Sequence, residues 1–280
     1  MLGRLLSLVV TSISEQMRGE GRLQIIVFII LSLALVCSAN ARPLTIASSE
    51  GPPHMINDNH HGIDLDIVEA VLRRLGHDVS YEFMGLKRAH RELKLGRVDV
   101  TAPVFKQADS DGSYISDSIV LYQPMVFSLA ANGLTPKTLS DLQGHSLLTF
   151  QGAPGYFGES FKRVARGDAY QELTDMGAIA ELLTKGRYEY AVLDKYIFYY
   201  YYRLNDKQRD VSIFTEHKLI PPVPASSAFH DGKLRDEFNR ELQLFMKSQE
   251  YEQIFERYLG SALLSVEKAV SEPEVDFRLN

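Results

Sequence analysis

The chain has 280 residues, 45% hydrophobic and 24% charged, with a formal net charge of −6 and one cysteine. Residues 1–41 hold three Arg, two Glu and that cysteine, so the remainder stands one unit lower, at −7, and carries no thiol. This excludes disulfide and thiolate chemistry beyond residue 41. It leaves no basic stretch to track a nucleic-acid backbone, so no nucleic acid is expected as a partner, and it allows two modest α/β lobes or one large domain.

Ile25 to Val36 is almost wholly apolar, with Arg18 and Arg22 before it and Ala39-Asn40-Ala41 after it. A positive flank, a short apolar core and an A-x-A site predict a cleaved secretory signal peptide over 1–41. The run falls short of the roughly 20 apolar residues that span a bilayer. Cys37 does not make a lipobox, because Val36 stands where a small residue is wanted. Met17 opens a short basic lead and competes with Met1 as the start.

Leu44 to Ala47 predicts a first strand, and Ser48 to Asn59 a turn-rich loop. Asp64 caps a helix whose Leu65, Val68, Val71, Leu72 and Leu75 share one face, and Gly76 ends it. Val79, Tyr81 and Phe83 alternate as a half-buried strand. An amphipathic helix from Leu86 to Leu95, a stop at Gly96 and a buried strand from Val98 to Ala102 follow. This β-α-β-α-β run predicts a mostly parallel sheet.

Residues 106–118 read as a polar loop, and Met125 to Ala130 as a strand running into Ala131-Asn132-Gly133. A second α/β unit starts there: a strand at Leu147 to Phe150, helices at Ser160 to Ala165 and Ala178 to Leu183, a stop at Gly186 and a strand at Tyr190 to Asp194. A tyrosine-rich helix, a strand at Val211 to Phe214 and a proline-stiffened segment, Ile220 to Pro224, come next. Gly232 to Leu259 reads as helix. The repeated helix–Gly–strand unit predicts two similar lobes, with crossings near 129–133 and 219–225. Lobe 1 would take 42–130 and 221–260, lobe 2 would take 131–220, and 261–280 would be a tail. Two crossings make a hinge that closes over a ligand.

Pro52-Pro53, Gly62-Ile63-Asp64-Leu65-Asp66, Leu93-Lys94-Leu95-Gly96-Arg97-Val98-Asp99, Leu139-Ser140-Asp141-Leu142-Gln143-Gly144, Gln151-Gly152, Ala191-Val192-Leu193-Asp194 and Tyr251 to Leu259 follow one another in this order. As a set they resemble the family-3 periplasmic solute-binding proteins, which serve ABC importers for polar amino acids. Leu86-x-Arg88-Ala89 is similar to a Trp-x-Arg-Ala motif of one subgroup. The resemblance covers about 42–260. It implies the two-lobe type II fold with a discontinuous first lobe, a periplasmic location, a monomer and a membrane ABC permease as partner. It also implies that Asp194 takes a ligand amino group. The family's carboxylate-gripping arginine, in a Thr-x-x-Arg segment, is absent: Lys106-Gln107-Ala108-Asp109-Ser110-Asp111 stands there, and Ala153-Pro154 replaces the usual serine or threonine after the lobe-two glycine.

The expected ligand-binding residues are Ser49, Glu50, Arg88, Lys106, Gln151, Gly152 and Asp194. Asp194 ends a strand, where it pairs with an ammonium or caps the helix that follows. Arg88, whose fork suits a carboxylate, and Lys106 compete to replace the missing arginine. Ser49 and Glu50 face the cleft mouth, and backbone N–H groups at Gln151 and Gly152 suit an anion. His54, Asp58, His60 and His61 lack metal-ligand spacing and read as a polar loop, so neither a metal nor a cofactor is expected. The tyrosines between Tyr196 and Tyr202 read as core with wet hydroxyls. The expected function is capture of a small polar, amine-bearing solute for import. The alternatives are a sensory accessory protein, or a secreted dehydratase-like enzyme, for which no nucleophile–base pair is legible.

Overall fold

Two five-stranded sheets organise the residues that the computed structural model describes, 42–105 and 112–261. The expected signal peptide, the segment 106–111 with Lys106, and the tail beyond Ser261 lie outside them.

The first sheet grows from the predicted β-α-β-α-β run. Strand β1 (Leu44–Ser48) leads through helix α1 (Ile63–Arg74) to β2 (Val79–Phe83), and α2 (Leu86–Lys94) leads to β3 (Val100–Val104). β1 lies parallel to both β2 and β3. The α1 face carrying Ile67, Val68, Val71 and Leu72 is buried against the sheet. Asp64 and Asp66 in its first turn and Arg73 and Arg74 in its last complement the helix dipole. β4 (Tyr114–Tyr122) and β10 (Val223–Phe229) complete the order β2-β1-β3-β10-β4, with β10 antiparallel to both neighbours.

The second sheet holds β5 (Pro124–Leu129), β6 (Leu147–Phe150), β7 (Tyr170–Leu173), β8 (Tyr190–Asp194) and β9 (Phe214–His217) in the order β7-β6-β8-β5-β9. Helices α3 (Ala153–Phe157), α4 (Glu159–Val164) and α5 (Gly177–Thr184) connect its parallel strands, and α6 (Lys195–Arg203) follows β8. The two sheets share one plan. Each has three parallel strands from a local α/β run and a fourth, antiparallel strand that the chain forms on arriving from the other sheet.

That plan moves one expected crossing. β5 pairs with β8 and β9, so the chain changes sheets at Gln123 and not at 129–133. The run from Pro124 to Ser128 is buried throughout. A continuous apolar run marks a buried strand without saying which sheet buries it. The second connection is Lys218 to Pro222, and Pro224 lies inside β10 opposite Leu121.

Other elements also differ. β4 occupies part of the predicted loop, because its polar side chains find distant partners: Asp117 accepts from Asn239 and Gln243. β7 was not foreseen, and β9 begins where a strand was expected to end. The long C-terminal helix is two, α7 (Gly232–Phe245) and α8 (Gln249–Leu259), because the Ser248 hydroxyl caps the second by accepting from the Tyr251 N–H. α8 packs on α1 and, across the sheets, on α6, where Phe255 meets Tyr196 at 5.5 Å between ring centres.

Candidate functional site

Between the sheets lies a cavity of about 160 Å³. The first lobe lines it with His54, Met55, Leu86, Pro103, Phe105 and Tyr122, and the second with Pro124, Phe150, Tyr156, Phe157, Asp194 and Ile197, among others. The wall is aromatic and apolar except at its floor.

The floor is a polar cluster that crosses the cleft. His54 stands 2.8 Å from Asp64 through Nδ1 and 3.5 Å from Asp194 through Nε2. The Tyr122 hydroxyl donates to the other Asp64 oxygen at 2.9 Å, and the Tyr122 ring stacks on the imidazole at 3.9 Å. Asp64, His54 and Asp194 are only 0%, 1% and 7% exposed. Burial alone would lower the His54 pKa. The Asp64 charge and hydrogen bonds to Asp194 and Asp64 outweigh it and raise the value from 6.5 to about 9, so the ring is an imidazolium at neutral pH. The same burial and the two carboxylates push the Tyr122 phenol well up.

Local folding places each member. The loop 51–62 folds back on itself through the paired bridges Gly51–Met55 and Ile56–His61. Its carbonyls receive the first helical N–H groups of α1: Ile63 donates to Pro53 and Asp64 to His54. His54 thus meets Asp64 through both backbone and side chain. Asp194 ends β8 and caps α6, accepting from the Tyr196 and Ile197 N–H groups on Oδ1. Its Oδ2 accepts the Gln123 N–H at 2.7 Å, at the point where the chain changes sheets.

Of the expected site residues, Asp194 alone lines the cavity among those described. It is at the same time the cap of α6. Glu50 is exposed and accepts the Asn57 N–H at 2.8 Å. Ser49 is half-buried beside it, and Arg88 is exposed on α2; neither lines the cavity. Gln151 and Gly152 are exposed, and the Gly152 N–H donates to the Glu172 carboxylate at 2.7 Å. Lys106 lies outside the described residues. Among the tyrosines of α6, Tyr196, Tyr199 and Tyr202 are buried and their hydroxyls are bonded, to Gln123, Glu216 and Asp210 respectively. No cluster of three potential metal ligands occurs among the described residues.

His54, Asp64 and Tyr122 are the members that sequence reasoning missed, His54 because a loop histidine has no periodicity to fix its direction. Asp64 held the signal. It shares the α1 face of Val68 and Val71, and a carboxylate on an apolar face demands a partner.

The sequence pattern of the bacterial extracellular solute-binding proteins, family 3, matches residues 44–261. No curated protein is similar enough in sequence to count as a match. Among solved structures, an ancestral cationic amino-acid solute-binding protein superposes with a TM-score of 0.63 at 16% identity, covering 78% of this chain and 95% of its own. The second substrate-binding domain of GlnP from Lactococcus lactis, in an open conformation, gives 0.58 at 20%, covering 80% and 98%. A histidine kinase sensor domain similar to periplasmic binding proteins gives 0.56 at 19%, covering 78% and 96%. The fold is that of the type II periplasmic binding proteins, and the chain belongs to the bacterial extracellular solute-binding proteins, family 3.

Proposed function

We propose that this protein captures a small amine-bearing solute in the cleft by closing its lobes, and delivers it to a membrane ABC permease from the periplasm. The observation that carries the reading is the cavity, whose wall is shared by two sheets joined through two short connections. A bound solute stabilises whichever arrangement brings both halves of the wall onto it. Asp194 supplies the carboxylate for the amine. The polar body expected from the resemblance meets an apolar wall, so the polar demand falls on the amine end.

A thermal-shift screen of the purified protein against amines, amino acids, oligopeptides and organic acids tests the reading. A ligand at 100 times its Kd adds about 2.7 kcal/mol of stability. A shift confined to amine-bearing compounds supports capture, and a shift confined to organic acids overturns it. The reading is of binding without chemistry, so turnover of a bound compound by pure protein would also count against it. The likeness to a sensor domain motivates one rival, in which the closed form engages a receptor. Crosslinking in membranes separates the two by whether a permease or a receptor is captured.

A further inference from the structure

Tyr122, Phe105, Tyr156 and Phe150 form a continuous aromatic wall that passes from one lobe to the other. Phe105 meets Tyr122 at 5.2 Å and 85°, and Tyr156 across the cleft at 6.0 Å and 89°. Tyr156 meets Phe150 at 5.9 Å and 71°. Ring faces carry negative potential and attract cations that are weakly hydrated. Aromatic lining alone also suits a neutral apolar ligand, so the charge on the floor decides between them.

Among the described residues, that charge is negative. Asp64 and Asp194 set two carboxylates against the one imidazolium of His54. Among the described residues Asp194 Oδ1 faces three donors and Oδ2 only the Gln123 N–H, so Oδ2 has acceptor capacity for a further N–H. The same floor repels a carboxylate. Of the expected anion receivers, Arg88 does not line the cavity, the Gly152 N–H is taken by Glu172, and Lys106 lies outside the described residues. The volume, about 160 Å³, is close to that of an engineered apolar cavity of about 150 Å³ that accepts benzene.

We infer that the cleft selects a small organic ammonium with an apolar body, a ring or a branched alkyl group, over a free α-amino acid. The inference rests on the capture reading of this same cleft and narrows its ligand class. In the bound state the ammonium donates to Asp194 Oδ2 while ring faces of both lobes cover its body.

Calorimetric titration with three matched probes tests it: benzylamine, phenylglycine, which adds an α-carboxylate to the same body, and benzyl alcohol, which replaces the ammonium with a neutral group. Benzylamine is expected to bind at least tenfold more tightly than either of the others, and Asp194→Asn and Tyr156→Ala are each expected to weaken it at least tenfold. Phenylglycine binding as tightly as benzylamine, with loss in Tyr156→Ala, overturns the ligand class and leaves capture in the cleft standing. Benzyl alcohol matching benzylamine removes the role of the cation. Benzylamine binding that survives both substitutions puts the site elsewhere and sinks capture in this cleft as well. No heat from benzylamine at about 1 mM, 100 times a Kd of about 10 µM, overturns the ligand class outright.

Discussion

A buried imidazole held between two carboxylates ties stability to pH. The His54 pKa in the folded protein lies above its ordinary value of 6.5, at about 9. The stabilisation is therefore complete below about pH 6.5 and is lost as pH rises through about 9, amounting to about 3 kcal/mol in all. Melting temperature is expected to fall across that window, and His54→Gln is expected to flatten the fall. An unchanged slope in the variant would place the titrating group elsewhere. Asp194 has a structural duty as the α6 cap and a proposed one toward the ligand, and substitution weighs both. Asp194→Ala removes the α6 cap, costing about 1 kcal/mol of stability, and weakens ligand binding at least tenfold, about 1.4 kcal/mol. Asp194→Asn keeps the capping oxygen on α6 and loses the charge, the acceptor for the Gln123 N–H and part of the hold on the His54 imidazolium. A lower melting temperature and a weaker affinity for Asn than for wild type are the expected result; equal affinities would remove the carboxylate from recognition.

The loop 51–62 is the element on which the floor depends. Gly62 has φ +135°, and a Cβ there would lie 2.3 Å from the His54 carbonyl oxygen. Gly62→Ala is expected to cost about 1–3 kcal/mol and to displace His54, read by urea denaturation together with the loss of the alkaline slope. Stability equal to wild type would show that the loop yields without cost. The sequence announced most of the helices and, β7 excepted, the parallel strands, because apolar periodicity and glycine stops are local: Gly96 and Gly186 both end helices at φ near +65°. It hid β4, whose polar residues find partners on the distant α7 and β10, and it misplaced β5, whose sheet is chosen by pairing with residues far along the chain. The candidate site was legible to the same limit. Asp194 stood out by its place after a strand, whereas His54 becomes significant only once the loop turns it toward two distant carboxylates.

At the scale of the whole molecule, the cleft is crossed at its floor by His54 and Asp194 and at its rim by Phe105 and Tyr156. A ligand that fits between these contacts favours the closed arrangement, so its addition is expected to lower the radius of gyration in small-angle scattering. A thermal shift without any change in scattering would mean binding without lobe movement.

The pairing of β4 with β10 carries a different consequence. Tyr122 and Val223 stand directly opposite each other in antiparallel register, and everything between them leaves and re-enters the first sheet at that one rung. An Asn-Gly turn joining the two would close an ordinary hairpin. Such a shortened protein is expected to retain the circular dichroism of the first sheet and a cooperative melt, and to show no response to ligand. One half of the cavity wall is thus a cassette carried on a hairpin tip, and exchanging it with a relative's is expected to transplant half of the proposed recognition chemistry.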